Sequence, residues 1–272
     1  MKNKSNVKIL VCCHKQDVMA TQEPYMPIHV GKALHPELDL GIQGDNTGDN
    51  ISDKNESYCE LTGMYWAWKN LKDVDIIGLC HYRRYFDIDS LRSLNKEPII
   101  RKDIPLISIP NIQKILVKYD IILPGKSYSC DSLWDSYAIG HNCLDMKVVE
   151  DVISQIYPKY VNSFKYIMKE NNSYCPCNML ICTKSRFDDY CSWLFDIMSK
   201  VEQQIDISNY DCYQKRVFGF ISERLLNVYV YHNHLNVCHR PIVSMVAGKT
   251  PSLTKQKFHR LKSAICFFLK NE

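Results

Sequence analysis

Apolar residues between positions 55 and 86 follow two different periods in succession. The first period is three or four residues and predicts a helix with one face on a core; its members are Leu61, Met64, Trp68 and Leu71. Ser57 and Glu60 have the spacing of a capping box, so we expect this helix to begin near Ser57. The second pattern is the unbroken apolar run Ile76–Cys80, which predicts a strand covered on both faces. A helix followed by such a strand is typical of α/β proteins.

The same patterns recur along the rest of the chain. The further predicted strands are Val7–Cys13, Asp120–Pro124, Asn178–Cys182 and the extended segment Val237–Val246. The further predicted helices are Ile112–Lys118, Cys143–Tyr157, Tyr160–Glu170, Arg186–Gln204 and Cys212–Tyr231. Residues 23–55 read as irregular, and residues 125–141 as an aromatic-rich loop. Because we find no internal repeat or flexible linker, we expect one α/β domain over residues 1–248.

The last segment, residues 249–272, has a different character. It carries six lysines or arginines between Lys249 and Lys270 and no acidic residue in that range. Phe258, Leu261, Ile265 and Phe268 recur at helical spacing across it. This pattern predicts a basic amphipathic helix on an anionic membrane surface. The alternative is a terminal helix docked on the domain with its basic face in water.

Composition narrows the class of protein. Of 272 residues, 46% are apolar and 24% charged, which is ordinary for a soluble globular protein. The net charge of +4 is too small to indicate a nucleic-acid partner. The 13 cysteines include no CxxC pair and follow no signal peptide, so we expect reduced thiols in a cytoplasmic protein. No apolar run approaches the length of a membrane span.

Basic and aromatic residues follow two of the predicted strands. His81, Tyr82, Arg83 and Arg84 come directly after Ile76–Cys80. In open α/β sheets the ligand crevice lies outside the carboxyl ends of the strands, so this cluster predicts a site for a phosphorylated ligand. Because neighbouring residues of an extended strand point to opposite faces, we expect one of the two arginines to meet the ligand and the other to brace the structure.

The second of these strands, Val7–Cys13, is followed by His14 and Lys15, which we expect at the same edge. The alternative for the two arginines is an ion-pair network with Glu60 and Glu223. Arg216, Glu223 and Arg224 lie on a predicted helix that is apolar nearly all round, so each needs a partner.

Neither a glycine-rich phosphate loop nor a clear metal motif accompanies these residues. Three short carboxylate arrangements are candidates for a metal: Asp45 with Asp49, Asp73 with Asp75, and Asp87 with Asp89. Each is a weak signal, because closely spaced aspartates are common in loops. We therefore name no metal ligand and expect fixed arginines to neutralise the phosphates, with Mn²⁺ or Mg²⁺ as the alternative.

Several stretches together carry a family signature. They read Glu60-Leu61-Thr62, Tyr65-Trp66-x-Trp68-Lys69-Asn70, Ile77-Gly78-x-x-His81-Tyr82-Arg83-Arg84-Tyr85-Phe86 and Phe218-Gly219-Phe220-x-Ser222-Glu223-Arg224-Leu225. With His14-Lys15, the lead-in Asn50–Asn55 and Asn178-Met179, they span almost the whole chain. On these residues the chain resembles bacterial capsular and exopolysaccharide glycosyltransferases, a family long catalogued as a domain of unknown function.

The resemblance implies a fold and a reaction. The fold is a GT-A-like domain with a mixed central sheet flanked by helices. The reaction is transfer of a sugar from a nucleotide donor to a growing capsular, exopolysaccharide or O-antigen glycan, which is often lipid-linked. Because some members are similar to galactofuranosyltransferases, UDP-galactofuranose is the donor we expect. Such a protein would work in the cytoplasm, at the inner face of the cell membrane if the tail binds lipid.

Residue roles follow from the resemblance. The catalytic candidates are Glu223, as the base that deprotonates the acceptor hydroxyl, and Arg83 and Arg84, as partners of the donor diphosphate. The donor-binding candidates are His14, Lys15, Asn55, Glu60, Tyr65, His81, Tyr82 and Asn178. Two alternatives stay open: Glu223 as a structural partner of Arg84 or Arg216, and the whole chain as a non-catalytic protein that binds phosphosugars or polyanions during polysaccharide assembly.

Overall fold

The computed structural model describes residues 5–89, 99–100, 103–246 and 252–270. Its strands are β1 Val7–Cys13, β2 Tyr25–His29, β3 Gln43–Gly44, β4 Ile76–His81, β5 Arg84–Phe86, β6 Ile99–Ile100, β7 Ile121–Pro124, β8 Ser127–Tyr128, β9 Ser173–Tyr174, β10 Leu180–Thr183, β11 Val237–Arg240 and β12 Ile242–Ser244. Its helices are α1 Asn55–Tyr58, α2 Leu61–Asn70, α3 Ile109–Leu116, α4 Leu133–Gly140, α5 Cys143–Ile156, α6 Val161–Lys169, α7 Lys184–Glu202, α8 Val217–His232 and α9 Leu253–Lys270.

Within these ranges, ten strands form one mixed sheet with the central order β11-β7-β10-β4-β1-β2-β3. β4 lies between β1, which runs parallel to it, and β10, which runs antiparallel. β5 folds back on the end of β4 and continues to β12 and β6, while β8 and β9 form a separate two-stranded antiparallel sheet. The predicted mixed sheet flanked by helices is confirmed.

The sheet is buried on both faces, as the unbroken apolar run in β4 predicted. Ile77 and Leu79 face one apolar cluster, which includes core residues of α2, α5, α7 and α8. Ile76 and Cys80, at alternate positions, face a second cluster that includes Tyr85. This two-residue alternation explains why every position of the run is apolar: both faces of the strand contact a hydrophobic layer.

The start of the signature helix differs from the prediction. Cys59 adopts a φ of +52° and separates α1 from α2, so the chain turns where a continuous helix was expected. Ser57 is no capping residue, because its hydroxyl donates to the carbonyl of Lys54 at 3.2 Å. Glu60 takes the position before α2 with helical backbone angles and makes no side-chain cap.

Two segments expected to be irregular contain regular structure. Residues 23–55 include β2, which pairs in parallel with β1. Residues 125–141 include β8 and α4, whose Tyr137 is fully buried. The Ser132 hydroxyl accepts from the Asp135 amide and caps α4, a signal that the aromatic content of the segment obscured.

The basic tail is helical, as its periodicity predicted, and α9 packs against β8. The expected domain limit between residues 248 and 249 lies outside the described residues and stays a prediction. Across the residues that the structure describes, no helix is both long and apolar enough to cross a bilayer.

Close packing at Gly78, in the middle of β4, gives a test of this fold. A Cβ at that position would lie 2.7 Å from side-chain atoms of Ile9 and Ile181 and 3.0 Å from the Leu180 carbonyl oxygen. We therefore expect Gly78→Ala to lower the free energy of unfolding by about 1–3 kcal/mol, measured by urea denaturation. The matched control is Gly140→Ala, because a Cβ there meets nothing within 4 Å. Equal stability of the two variants would contradict the described packing of β4.

Candidate functional site

The carboxyl ends of β1 and β4 meet at one edge of the sheet, because the strands are parallel neighbours with Cys12 opposite His81. A cavity of about 730 Å³ opens at this edge. Its lining comes from the segments that follow β1 and β4, from the junction between α1 and α2, from Cys177 and from the start of α8. Eight predicted site residues line it: His14, Asn55, Glu60, His81, Tyr82, Arg83, Arg84 and Glu223.

Arg83 and Arg84 both line the cavity. β4 ends at His81 and the chain turns before β5, so the two arginines do not belong to one extended strand. That one arginine meets the ligand while the other braces the structure stays a prediction. Arg83 is fixed: its Nε and Nη2 donate to one oxygen of Asp17 at 3.0 and 2.6 Å. Its guanidinium also lies 5.1 Å from the ring centre of Tyr82.

Arg84 differs from its neighbour. Its side chain is exposed, and it makes no ion pair with any residue in the described part of the chain. The expected network joining the two arginines to Glu60 and Glu223 is therefore not what the structure shows, since Arg83 pairs with Asp17 instead. The fixed guanidinium of Arg83 can orient an anion, and the exposed guanidinium of Arg84 can then move to contact that anion.

A second pair of cations, Lys215 and Arg216, also lines the cavity and was not among the predicted site residues. Both precede the first residue of α8, Val217. The amino end of a helix carries partial positive charge, so cations are unfavourable there unless an anion is bound nearby. The sequence pattern hid this conflict with the helix dipole, because it predicted a helix that begins at Cys212 rather than at Val217. Arg216 Nε donates to Cys59 Sγ at 3.4 Å.

The cavity also carries carboxylates, and hydrogen bonds hold two of them. Glu60 Oε1 accepts from the Asn178 side chain at 2.7 Å. Glu223 Oε1 accepts from the Cys177 amide at 3.0 Å, and Oε2 lies 3.3 Å from Arg224 Nη1. Glu223 thus pairs with Arg224, rather than with Arg84 or Arg216 as the structural alternative proposed.

The backbone beneath these carboxylates is strained. Cys177 and Asn178 have consecutive positive φ angles of 73° and 51°. Such conformations are costly for residues other than glycine and cluster at ligand-binding sites. Here the turn directs the Cys177 amide to Glu223 and the Cys177 carbonyl to His81 Nε2, which donates to it at 2.8 Å. His81 Nε2 therefore carries its proton.

The surroundings of His14 in the cavity lower its pKa. Its ring meets Tyr82 edge-on, with ring centres 5.5 Å apart. Burial lowers its pKa, and the positive charges of Lys15, Arg216 and Arg83 lower it further. His14 is consequently neutral at pH 7 and gains a proton more readily once an anion offsets those charges.

Three predicted site residues do not line the cavity. Lys15 is exposed and acts on the site only through its charge on His14. Tyr65 donates to Asp49 at 3.0 Å and packs edge-on against Phe195 of α7. Its side chain therefore takes part in the packing of α2 on α7 rather than in the cavity. Asn178 is fully buried behind Glu60 and also donates to the Gly219 carbonyl at 3.2 Å.

Thiols surround the cavity without being activated by it. Burial and, to a smaller extent, the charge of Glu60 raise the pKa of Cys59 to about 11 against the opposing effect of Arg216. Burial raises the pKa of Cys12 as well. Protonated thiols are poor nucleophiles, so these side chains line the site as small apolar groups. All 13 cysteines are free, which agrees with the reduced state expected from their spacing.

None of the three carboxylate arrangements considered for a metal lines the cavity. Asp45 is buried and accepts from the amides of Gly31 and Lys32, so it serves a loop. Asp49 accepts from Tyr65, and Asp75 from the Asn6 amide. The described residues contain no group of three histidine, cysteine or carboxylate side chains suited to a metal ion.

Comparison with known proteins identifies the family of this chain. A model described as "Domain of unknown function (DUF4422)" matches residues 8–234. The chain belongs to the DUF4422 family. The match includes all the predicted site residues and the second cation pair, because every one of them lies between positions 14 and 223.

This DUF4422 chain is also similar to a solved structure, the apo form of the bifunctional glycosyltransferase WbbM. The two are 31% identical, with a TM-score of 0.81 over 90% of this chain and 46% of the WbbM chain. The chain thus spans less than half of that protein's length. Its mixed α/β fold is one found in a glycosyltransferase, as expected. No curated protein matches the DUF4422 chain.

The cations around His14 predict a measurable titration effect. Removing a positive charge favours the protonated imidazole, so Arg216→Gln and Lys15→Gln should each raise the pKa of His14. The pKa is read from the histidine Cε1 resonances in an NMR titration. His232 is the internal control, because neither residue contributes to its shift. An unchanged or lower pKa of His14 in both variants would contradict the described arrangement.

Proposed function

We propose that this DUF4422 chain is a glycosyltransferase that moves a sugar from a nucleotide-sugar donor to a growing capsular, exopolysaccharide or O-antigen glycan. One observation carries the proposal: a cavity with two pairs of cations opens at the carboxyl edge of a sheet whose fold matches a glycosyltransferase. A non-catalytic protein that binds phosphosugars or polyanions would have the same cations. Measured turnover therefore distinguishes the two functions.

Donor binding follows from the distribution of charge. The diphosphate contacts the four cations that line the cavity, Arg83, Arg84, Lys215 and Arg216, with the positive end of α8 beside it. Arginine suits this role because its planar fork matches two phosphate oxygens at once. The carboxylates of Glu60 and Glu56 accept hydrogen bonds from hydroxyl groups of the sugar or ribose. A cavity with both signs of charge fits such a ligand better than a simple polyanion.

The reaction needs a leaving group and a base. As the bond between the anomeric carbon and the phosphate oxygen breaks, its electron pair passes to the diphosphate, whose added charge the arginines offset. The acceptor oxygen bonds to the anomeric carbon, and its proton passes to Glu223. Hydrogen bonds from Cys177 and Arg224 hold the Glu223 carboxylate in one orientation for this transfer.

The family resemblance supplies the identities that the cavity leaves open. It favours UDP-galactofuranose as the donor and a lipid-linked or oligosaccharide acceptor. Both substrates occur at the cytoplasmic side of polysaccharide assembly, so the proposed location is the cytoplasm or the inner face of the membrane. The guanidinium groups neutralise the charge of the diphosphate, as Mn²⁺ or Mg²⁺ does in related chemistry.

A panel of nucleotide sugars tests the proposal. Incubation should release UDP from UDP-galactofuranose faster than from UDP-glucose or GDP-mannose, and excess EDTA should leave the rate unchanged. Binding of several donors without release of any nucleotide would instead favour the non-catalytic protein. Loss of activity in EDTA, restored by Mn²⁺, would contradict the metal-free part of the proposal.

Arg84 gives a sharper test of the diphosphate site. Charged hydrogen bonds are each worth about 1.5–3 kcal/mol, so Arg84→Ala should weaken UDP binding by roughly 10- to 100-fold in calorimetry. The matched control is Arg186→Ala, which removes the same charge from a surface pair with Asp120. Equal affinities of the two variants would show that Arg84 does not contact the diphosphate.

Glu223→Gln separates catalysis from binding. Glutamine keeps an oxygen that accepts from the Cys177 amide but cannot take the acceptor proton. We expect kcat for transfer to fall by about 10²–10⁴-fold while affinity for UDP changes little. Glu170→Gln, at an exposed helix end, is the control for the loss of one carboxylate. Full activity of Glu223→Gln would remove Glu223 as the base.

A further inference from the structure

The C-terminal helix α9 packs on the protein mainly through polar side chains and leaves several large apolar side chains exposed, unlike a helix that only stabilises the fold. Its buried side chains are polar, with Ser263 only 1% exposed and Gln256 5% exposed. Five of its large apolar side chains remain in water, since Phe258, Leu261, Ile265, Phe268 and Leu269 are 51–67% exposed, while Phe267 on the docked side is partly buried. A helix that packs for stability normally buries its apolar side.

The two sets lie on opposite faces. At about 100° per residue, Gln256, Ser263 and Lys270 share one side of the helix, and Leu261, Ile265 and Phe268 share the other. The docked side is held by polar contacts. The Arg260 guanidinium lies 4.9 Å from the ring centre of Tyr128, and Lys270 pairs with Asp131.

Charge along α9 indicates what covers the apolar face. Exposed lysines border it on both sides, with Lys255 and Lys262 along one edge and Lys257 along the other. The segment 252–270 contains no acidic residue. A second copy of the chain would bring two such lysine borders together, which is repulsive. An anionic lipid surface attracts them and also accepts the apolar side chains.

The position of α9 in the fold agrees with a membrane partner. α9 packs on β8, which begins three residues after β7 ends. β7 is antiparallel to β10, and β10 is antiparallel to β4, so β7 and β4 end at the same edge of the sheet. The helix is thus attached to the edge that carries the cavity.

We propose that α9 is a docked interfacial helix that binds a bilayer containing anionic lipids. Phe258, Leu261, Ile265, Phe268 and Leu269 enter the boundary between headgroups and acyl chains, and the bordering lysines contact the headgroups. The inference rests on α9 alone and holds whether or not the chain transfers sugar.

Flotation of the full chain with vesicles tests this inference. Vesicles of phosphatidylcholine with phosphatidylglycerol should bind the protein, vesicles of phosphatidylcholine alone should bind it much less, and high salt should release it. Leu261→Ser/Ile265→Ser should lower the partition coefficient at least about tenfold, since burial of one such side chain is itself worth about a factor of ten. Lys255→Gln/Lys257→Gln/Lys262→Gln should remove the preference for anionic vesicles.

The matched control is Val117→Ser/Leu144→Ser, which alters two side chains that are 85% and 66% exposed elsewhere on the protein and should leave binding unchanged. Failure of the native chain to bind either vesicle overturns the proposal. So does binding that survives both α9 variants, or a dimer in sedimentation that Leu261→Ser/Ile265→Ser dissociates. If the serine variant melts early, the lysine variant decides alone. Release of UDP in solution, measured on the same proteins, should not change.

Discussion

In the proposed function, electrostatic attraction between a phosphate-bearing donor and four side-chain cations of the cavity is the interaction on which the site depends. Arg83 and Arg84 come from the turn after β4, while Lys215 and Arg216 stand before the first turn of α8. Like charges around one cavity repel each other, and the helix dipole adds to that cost for the second pair. Asp17 offsets part of it by fixing Arg83. An anion bound between the pairs would offset the rest.

The carboxylates give the cavity its second property. Glu60 and Glu223 are held by an amide side chain and a backbone amide, on a turn with two left-handed residues. Backbone strain of this kind persists only where surrounding contacts enforce it. The close-packed core on both faces of β4 keeps the sheet rigid. The rigid sheet in turn supports the strained turn that orients the two carboxylates.

Much of this could be predicted from the sequence, and the limits have physical causes. The apolar runs of β1 and β4 revealed two strands, and therefore the shared edge where His14, His81, Arg83 and Arg84 lie. Tyr65 was misplaced because helical spacing alone does not say which neighbour a face meets; that neighbour is α7, far along the chain. The break at Cys59 was hidden because a positive φ at a residue other than glycine leaves no sequence signal.

The second cation pair was missed for a related reason. Lys215 and Arg216 lie about 130 residues beyond Arg84, and only tertiary packing brings α8 to the sheet edge. The sequence pattern placed the helix start at Cys212, so their position before the first turn of α8 appears only in the structure. The tail shows the converse. Its periodicity predicted the helix, while the face turned to solvent could be read only from the structure.

A crystal structure of the chain with UDP bound tests the central claim most directly. The account predicts the diphosphate inside the cavity, within hydrogen-bonding distance of Arg84 and of Arg216, with His14 facing the phosphates. A diphosphate bound elsewhere, or one in the cavity that contacts neither arginine, would contradict it.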